Sequence, residues 1–394
     1  MKLLITGLKV YAEKNIYKTG AVLVEDGLIA AIDPTQRHFI ADKTLTFPAN
    51  YHLIPGFIDL HTHGANGHDV MDATPAALAG ICQALAAEGT TAFLATTMTE
   101  DIDRIEAALT NVRQYQQGTQ TGAVILGVHL EGPFIAPSKK GAQNGEKILA
   151  PNIELIKKWE KISDNALKLV TLAPEQARAL DVIAYLKKKN IVAAIGHTNA
   201  TYEEAQAAIA AGSCYATHLF NAMSGIHQRA PGAVTAALLA DNVSAELIVD
   251  GFHLHPAIVR LALKLKGKEK IVLVTDAMRA KCLQDGCYDL GGQAVYLKKG
   301  RAQLADGTLA GSVLRMPSAV QNMLDFTGCE LQDALKMAAE NPAKILNVFH
   351  RKGSIAAKKD ADLVVLNEKL EVVLTLCGGD SVYAVENPQK SAVD

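Results

Sequence analysis

The sequence is short of cysteine, of long hydrophobic runs and of net charge. Its six cysteines are scattered over 394 residues, and no two form a CxxC pair. Thiols so placed in a long chain read as reduced residues of a cytoplasmic protein, not as a disulfide framework. Cys282 and Cys287, the nearest two in sequence, are expected to stay unpaired. No stretch approaches the roughly 18 uninterrupted apolar residues of a transmembrane helix. The opening "MKLLITGLKVYAEKN" turns polar too soon for a signal peptide. The formal net charge is -2 at pH 7, so neither nucleic acid nor an anionic membrane is expected as a partner. A G-x-G-x-x-G turn with an acidic residue on the next strand is also missing, which removes the main sign of a dinucleotide-binding, doubly wound sheet.

What is present is a core-forming composition. Hydrophobic residues make up 49% of the chain and charged residues 20%, which suits one large folded domain with an accessory part. The first fifty residues read as short strands: "LLITGLKVYA", "GAVLVEDGLIAAID" and "KTLTFPANYHLIPG" are divided by Gly, Asp and Pro. The chain end, with "KGSIAAKKDADLVVLN" and "LEVVLTLCGG", has the same texture. Between them, buried strands alternate with helices. "AVILGVHLEGP", "NIVAAIGHTNA", "CYATHLFNAM", "AELIVDGFHLH" and "KIVLVTDAM" are short apolar runs of the kind found in parallel strands covered on both faces. "TPAALAGICQALAAEGT" has Thr74 as N-cap, Pro75 in the first turn and Gly89 past the end. "TYEEAQAAIAAG" has Thr201 and Glu204 at capping-box spacing and Gly212 as its stop. The expected fold is α/β: a (β/α)8 TIM-like barrel over residues 55–349, with a small β-sandwich domain built from both chain ends, 1–54 and 350–394.

The chemistry sits at one topological position. His61 and His63, Glu131, His197, His218, Asp250 with His253, and Asp276 all follow strand-like runs. In a barrel, C-terminal strand ends converge on one mouth. A lone His at a strand end is ordinarily structural, and the competing role for Asp276 is an N-cap of the next helix; a whole set at one position is harder to assign to packing. The spacing His61-Thr62-His63 places two imidazoles on one side of a strand. Neutral imidazole and carboxylate are ligands of Zn(II), Fe(II) and similar ions, and Asp276 is the best candidate base. His68, His227 and His255 are given no site. His255 stands before Pro256, where it suits a helix start. Lys139-Lys140 and Lys187 to Lys189 read as solvated charge.

The motifs in order carry a resemblance. "PGFIDLHTHG" and "DADLVVLN" resemble the amidohydrolase superfamily. "GVHLEGPF", "GHTNATYEEA", "ATHLFNAM", "DGFHLHP", "VTDAM" and "LAGSVLRM" resemble, within it, the N-acetylglucosamine-6-phosphate deacetylase family, along nearly the whole chain. The resemblance implies hydrolysis of the acetamide of N-acetylglucosamine 6-phosphate to glucosamine 6-phosphate and acetate. It implies Glu131, His197 and His218 as ligands of the principal metal and Asp276 as general base, then acid. It places Asn221 and Ala222 (as backbone donors), Arg229 and His253 on the sugar phosphate. Asp250, Ala142, Gln143, Leu309, Ala310 and Gly311 join them as substrate-binding residues. The cofactor implied is a divalent metal, Zn or Fe, with one or two ions per subunit. Because this chain keeps His61 and His63, a second ion is allowed, with Glu131 as bridge. Gln143 stands where some members carry a histidine, and Gln donates hydrogen bonds without carrying charge. The implied partner is a small amino-sugar phosphate. The implied assembly is a homodimer or homotetramer in which Arg229, on the loop "MSGIHQRAPG", reaches the phosphate of the neighbouring subunit.

Two other readings compete. A cyclic-amide hydrolase or deaminase of the same superfamily commonly bridges its metals with a modified lysine, whereas here Glu131 fills that position. A non-catalytic scaffold that kept the fold predicts eroded ligands, and the ligand set is complete.

Overall fold

The run "LIPGFIDLHTHG" is two strands of two different sheets, divided at Gly56. The computed structural model describes residues 1–33 and 39–385; residues 34–38 and 386–394, which fall in the two expected sandwich segments, lie outside it. His52–Pro55 belongs to a sheet made from both chain ends, and Phe57–Thr62 opens the barrel. A Cβ on Gly56 would lie 2.2 Å from Thr91 Oγ1, so the crossover is made where only glycine fits.

Eight parallel strands form the barrel: β1 Phe57–Thr62, β2 Thr90–Thr97, β3 Val124–Glu131, β4 Leu167–Leu172, β5 Val192–Ile195, β6 Tyr215–Ala216, β7 Ser244–Leu247 and β8 Ile271–Leu273. Each pairs with the next in sequence. The ring closes just beyond the last strand, through a parallel bridge between Thr62 and Ala277. There His63 N donates to Ala277 O at 2.8 Å, and Asp276 N donates to His61 O at 2.8 Å. Asp59, fully buried in β1, fastens the same seam by accepting from the Thr275 hydroxyl at 2.5 Å and from His61 N at 3.2 Å. All of β2 is buried, as expected of a strand with side chains packed on both faces.

Helices α1 Pro75–Ala86, α2 Ile102–Gln117, α3 Ile153–Ile162, α4 Ala179–Lys188, α5 Tyr202–Ala211, α6 Ala233–Leu239 and α7 Pro256–Lys266 connect successive strands, and α8 Met316–Thr327 follows β8. The capping chemistry is as the sequence reads. Thr74 Oγ1 accepts from Ala77 N at 3.2 Å. Thr201 and Glu204 make the reciprocal pair of a capping box, and Gly212 ends α5 at φ +134°. His255 caps α7, accepting from Ala257 N at 3.1 Å, which is the local role expected of it. Among the described residues no helix is long and apolar enough to cross a membrane.

The chain ends do meet. Lys2–Tyr11, Ile16–Glu25, Leu28–Asp33, Lys43–Thr46 and His52–Pro55 join Leu363–Leu366, Val372–Cys377 and Asp380–Ala384 in one mixed sheet. Lys2–Tyr11 pairs with Lys43–Thr46 along its first half and with His52–Pro55 along its second. The sheet parts there and closes on a core of its own, with Ile5, Val24, Leu363 and Leu374. One element has no clear sign in the sequence: an antiparallel three-stranded insertion after β8, Gly286–Leu290, Gln293–Lys298 and Arg301–Gln303. Its strands are largely exposed and so lack the continuous apolar runs of the barrel.

Close packing reaches up to the strand ends. A Cβ on Gly196, just past β5, would lie 2.6 Å from Thr171 Cγ2 and 2.8 Å from Thr217 Cβ. Gly196→Ala is therefore expected to lower the unfolding free energy by about 1–3 kcal/mol through overpacking. Gly118→Ala, whose nearest contact would be an ordinary 3.6 Å, should stay within about 0.5 kcal/mol of the parent. Urea denaturation of the two variants makes the comparison.

Candidate metal centre and substrate cavity

Five strand ends bring their polar residues to one point at the barrel mouth. Glu131 ends β3, His197 and His218 follow β5 and β6, His61 and His63 end and follow β1, and Asp276 follows β8. His197 Nε2 and His218 Nε2 are 3.1 Å apart, and each is 3.2 Å from Glu131 Oε1. A tetrahedral ion with ligand bonds of about 2.0–2.1 Å holds its ligands about 3.3 Å apart. These three buried atoms are at that separation and point at one another, so the donor set fits a divalent cation.

A second cluster shares the same carboxylate. His61 Nε2 and His63 Nε2 are 3.3 Å apart, at 3.3 and 3.2 Å from Asp276 Oδ1. Glu131 reaches them as well, through Oε1 to His61 and Oε2 to His63, both at 3.3 Å. The two oxygens of Glu131 thus face both clusters. Gln143 Nε2 donates to Glu131 Oε2 at 2.5 Å, and Gln143 Oε1 accepts from Thr99 N at 2.7 Å. The side-chain amide of Gln143 therefore steadies the shared carboxylate.

The backbone at these positions is unusual. His197, His218 and Asp276 have φ of +47°, +28° and +48°, a region that non-glycine residues seldom occupy. Such conformations persist where surrounding bonds over-determine them. Asp276 is clamped on both sides: its N donates to His61 O, and its O accepts from Ser312 N at 2.7 Å. His197 is fixed through its ring, with Nδ1 at 2.9 Å from Lys139 O.

Three interior residues support the centre and were not singled out from the sequence as ligands or supports. Glu246, on β7 and fully buried, lies 3.0 Å through Oε2 from His61 Nδ1. His129, on β3, packs edge-on against the His61 ring with centroids 4.5 Å apart and lies 2.7 Å through Nε2 from Thr171 Oγ1. Asp59 closes the seam described above. Each interrupts an apolar strand run, which is the one local sign that could have found them.

A cavity of about 320 Å³ opens over the clusters. Its wall includes the expected Ala142, Gln143, Asn221, Ala222, His253, Leu309 and Gly311, together with His63, Glu131, His197, His218 and Asp276. The insertion contributes Leu290 to that wall and donates from Gln293 Nε2 to Ala142 O. Several placements differ from the sequence reading. Arg229 is exposed on its loop and outside this wall. Asp250 turns onto its own segment, accepting from Phe252 N and His253 N at 2.8 Å and facing His253 Nδ1 at 2.7 Å. It positions His253 instead of lining the cavity. Ala310 is buried, its N–H given to Ala302 O. The backbone donor expected at Asn221 is already engaged with His218 O at 2.9 Å. Lys139, read as solvated charge, lines the cavity and donates to Met223 O at 3.1 Å.

This arrangement can be set beside known proteins. The sequence profile of the amidohydrolase family matches residues 52–382. An N-acetylglucosamine-6-phosphate deacetylase of Bacillus subtilis (strain 168) is 42% identical over 97% of this chain and 97% of its own. The chain belongs to the amidohydrolase family, and within it to the N-acetylglucosamine-6-phosphate deacetylases. An Escherichia coli O157:H7 relative named N-acetylgalactosamine-6-phosphate deacetylase is 39% identical over 89% of this chain and 91% of its own. A crystal structure of a Mycobacterium smegmatis deacetylase variant, in complex with N-acetyl-D-glucosamine-6-phosphate, superposes with a TM-score of 0.91. It is 32% identical, covering 97% of this chain and 100% of that one. The amidohydrolase family is generally metal-dependent, in keeping with the two clusters.

The electrostatics make metal uptake pH-dependent. Burial alone would lower the basicity of His63, but Asp276 and Glu131 outweigh it and raise its pKa to about 9 when no ion is bound. An ion takes the free base of Nε2, so a proton has to leave on binding. Below pH about 9 that proton competes. The apparent affinity for Zn(II) is expected to rise about tenfold per pH unit for each proton displaced as pH increases from 7 to 8. Competition against a chromophoric chelator at the two pH values measures this.

Proposed function

We propose that the protein hydrolyses the acetamide of N-acetylglucosamine 6-phosphate to glucosamine 6-phosphate and acetate. The observation that carries this reading is the Glu131, His197, His218 cluster facing Asp276 across one cavity. A donor set of imidazole and carboxylate without thiolate suits Zn(II) or Fe(II), and the second cluster gives room for two ions per subunit. Bound there, a divalent ion supplies Lewis-acid polarisation of the amide carbonyl and acidification of water.

The chain's own residues manage the protons. Burial pushes the Asp276 carboxyl up, but His61 and His63 beside it hold it below the ordinary carboxylate value. It is therefore a proton acceptor at neutral pH. Asp276 takes a proton from water as the water oxygen bonds to the acetyl carbon. It returns that proton to the amine nitrogen as the C–N bond breaks, so a single group is base and then acid. The backbone clamp on Asp276 keeps it in place through both transfers. Gln143 holds Glu131 through one N–H and lines the cavity, where it serves as a substrate contact. His253, with its Nδ1 held by Asp250, lines the cavity, and Lys139 brings a cation into the same wall. A phosphate held there supplies binding energy remote from the reaction. The working compartment is the cytoplasm, where all six free cysteines stay reduced.

Acetate release, followed for N-acetylglucosamine 6-phosphate, its galactosamine epimer and both unphosphorylated sugars, tests the reading. Both epimers are needed because relatives of similar identity carry both names. A chelator should abolish release and Zn(II) or Fe(II) restore it; full activity in metal-free protein would overturn the proposal. Asp276→Asn should keep substrate binding while turnover falls by at least 10²–10⁴-fold, on the order expected for loss of an acid–base group.

The assembly proposed is a homodimer, or a tetramer of such dimers, in which Arg229 completes the neighbouring subunit's phosphate site. Its exposure and its absence from its own cavity wall support this. Arg229→Ala should weaken the phosphorylated sugar by about 1.5–3 kcal/mol, one charge-assisted contact, and barely affect the unphosphorylated one. Mixing Arg229→Ala with Asp276→Asn subunits should regenerate active sites. No recovery after proven subunit exchange would place Arg229 in its own chain's function or in none.

A further inference from the structure

Among the described residues, Glu246 is the one carboxylate in contact with both clusters that does not line the cavity. It sits on β7 inside the barrel, with no exposed surface. Its Oε2 lies 3.0 Å from His61 Nδ1, in the second cluster, and accepts from His218 N at 2.9 Å, in the first. The His218 N–H can only donate, so Oε2 is an acceptor in that bond. As a carboxylate, Glu246 has only lone pairs to offer, so the proton in the 3.0 Å contact with His61 lies on Nδ1. With Nδ1 protonated, His61 keeps its lone pair on Nε2, the atom turned toward Glu131 Oε1 and Asp276 Oδ1 at 3.3 Å. The opposite tautomer would put a hydrogen where a ligand lone pair is needed.

The ring has few other ways to settle. His129 packs edge-on against it, and its own backbone N–H is held by Asp59 at 3.2 Å. Nδ1 faces Glu246, so the side chain at position 246 decides which nitrogen is available. A carboxylate behind a metal-binding imidazole orients the ring and raises its basicity. Here the same oxygen also fixes the backbone of His218, whose φ is +28°. A single side chain beneath the centre holds one member of each cluster.

We propose that Glu246 is a positioning residue that sets the His61 tautomer and thereby creates the second ion site, tying its geometry to the first. The proposal rests on the two-ion reading above. The neutral replacement Glu246→Gln is the sharpest probe, because its amide can donate to Nδ1 and favour the wrong tautomer. Glu246→Asp keeps the charge on a shorter arm.

Metal analysis and chelator competition with Zn(II), on parent and variants, give the first readout. The parent should hold two ions. Glu246→Gln should hold one at the same free Zn(II), with affinity for the second reduced on the order of 10–100-fold and the Glu131, His197, His218 site retained. Glu246→Asp should recover part of that loss, which a simple packing role would not produce. The second readout needs no variant at position 246. In the Zn(II)-loaded parent, ¹⁵N-histidine spectra should show His61 Nδ1 protonated, the signal being identified by its loss in His61→Asn. Two ions held by Glu246→Gln with parental affinity, or an unprotonated Nδ1, would overturn the proposal. A parent that takes up one ion at saturating Zn(II) would instead sink the two-ion reading, while the tautomer still decides the role of Glu246. Should Glu246→Gln fail to fold, the parent spectra and Glu246→Asp decide.

Discussion

The Glu131 carboxylate is the point on which the centre depends. It is nearly fully buried, and four imidazole Nε2 atoms lie within 3.2–3.3 Å of its oxygens. Burial pushes its pKa up, yet the surrounding histidines outweigh burial and hold it well below the ordinary carboxylate range. A charge so placed is tolerable only with positive charge on the other side, whether from ions or from protons on the rings. The histidines, Asp276 and Gln143 are arranged about that need.

A parallel barrel meets the need cheaply. Its strand ends turn inward at one mouth, so imidazoles and carboxylates from five strands converge without long loops. The geometric demand falls on single residues just past the strands, and three of them adopt left-handed backbone. Their strain is offset by bonds to neighbouring strands: Asp276 to His61 and Ser312, the His218 N–H to Glu246, the His197 ring to Lys139. The hydrogen bonds that close the barrel between β1 and β8 are the ones that seat Asp276 beside His61 and His63. Closure of the fold and assembly of the site are the same event there.

The cavity above the centre has a division of labour. Its floor is barrel strand ends, where Glu131, His61 and His197 each have a further partner in Gln143, Glu246 and Lys139 O. Its rim is assembled from loops and the three-stranded insertion, joined through Gln293 and Ala142. The rim carries Leu309 and Gly311, and Gly311 takes φ +59° where a Cβ would come within 3.1 Å of Asp276 O. Floor and rim are thus built from different parts of the fold, the imidazoles and carboxylates from strand ends and the remaining wall from loops and the insertion.

Much of this was legible in the sequence. Short apolar runs ending in His, Glu or Asp identify parallel strands and their functional ends together, because both faces of such a strand are buried and the first polar residue marks the mouth. The helix caps at Thr74, Thr201 and His255 are local hydrogen bonds, and local sequence suffices for them. The interior carboxylate Glu246 and the imidazole His129 left only an interruption in an apolar run. What each touches depends on strand register around a closed ring, and residues 61 and 246 become neighbours only when closure brings β1 and β7 to the two sides of β8. The same holds for Gln143 on Glu131, for Asp250 serving His253, and for Lys139 in the cavity wall. Residue type and spacing determine which groups are available. Which of them meet is decided by barrel closure, since a hydrogen bond at 3 Å between residues nearly two hundred positions apart is a property of the fold and not of either segment.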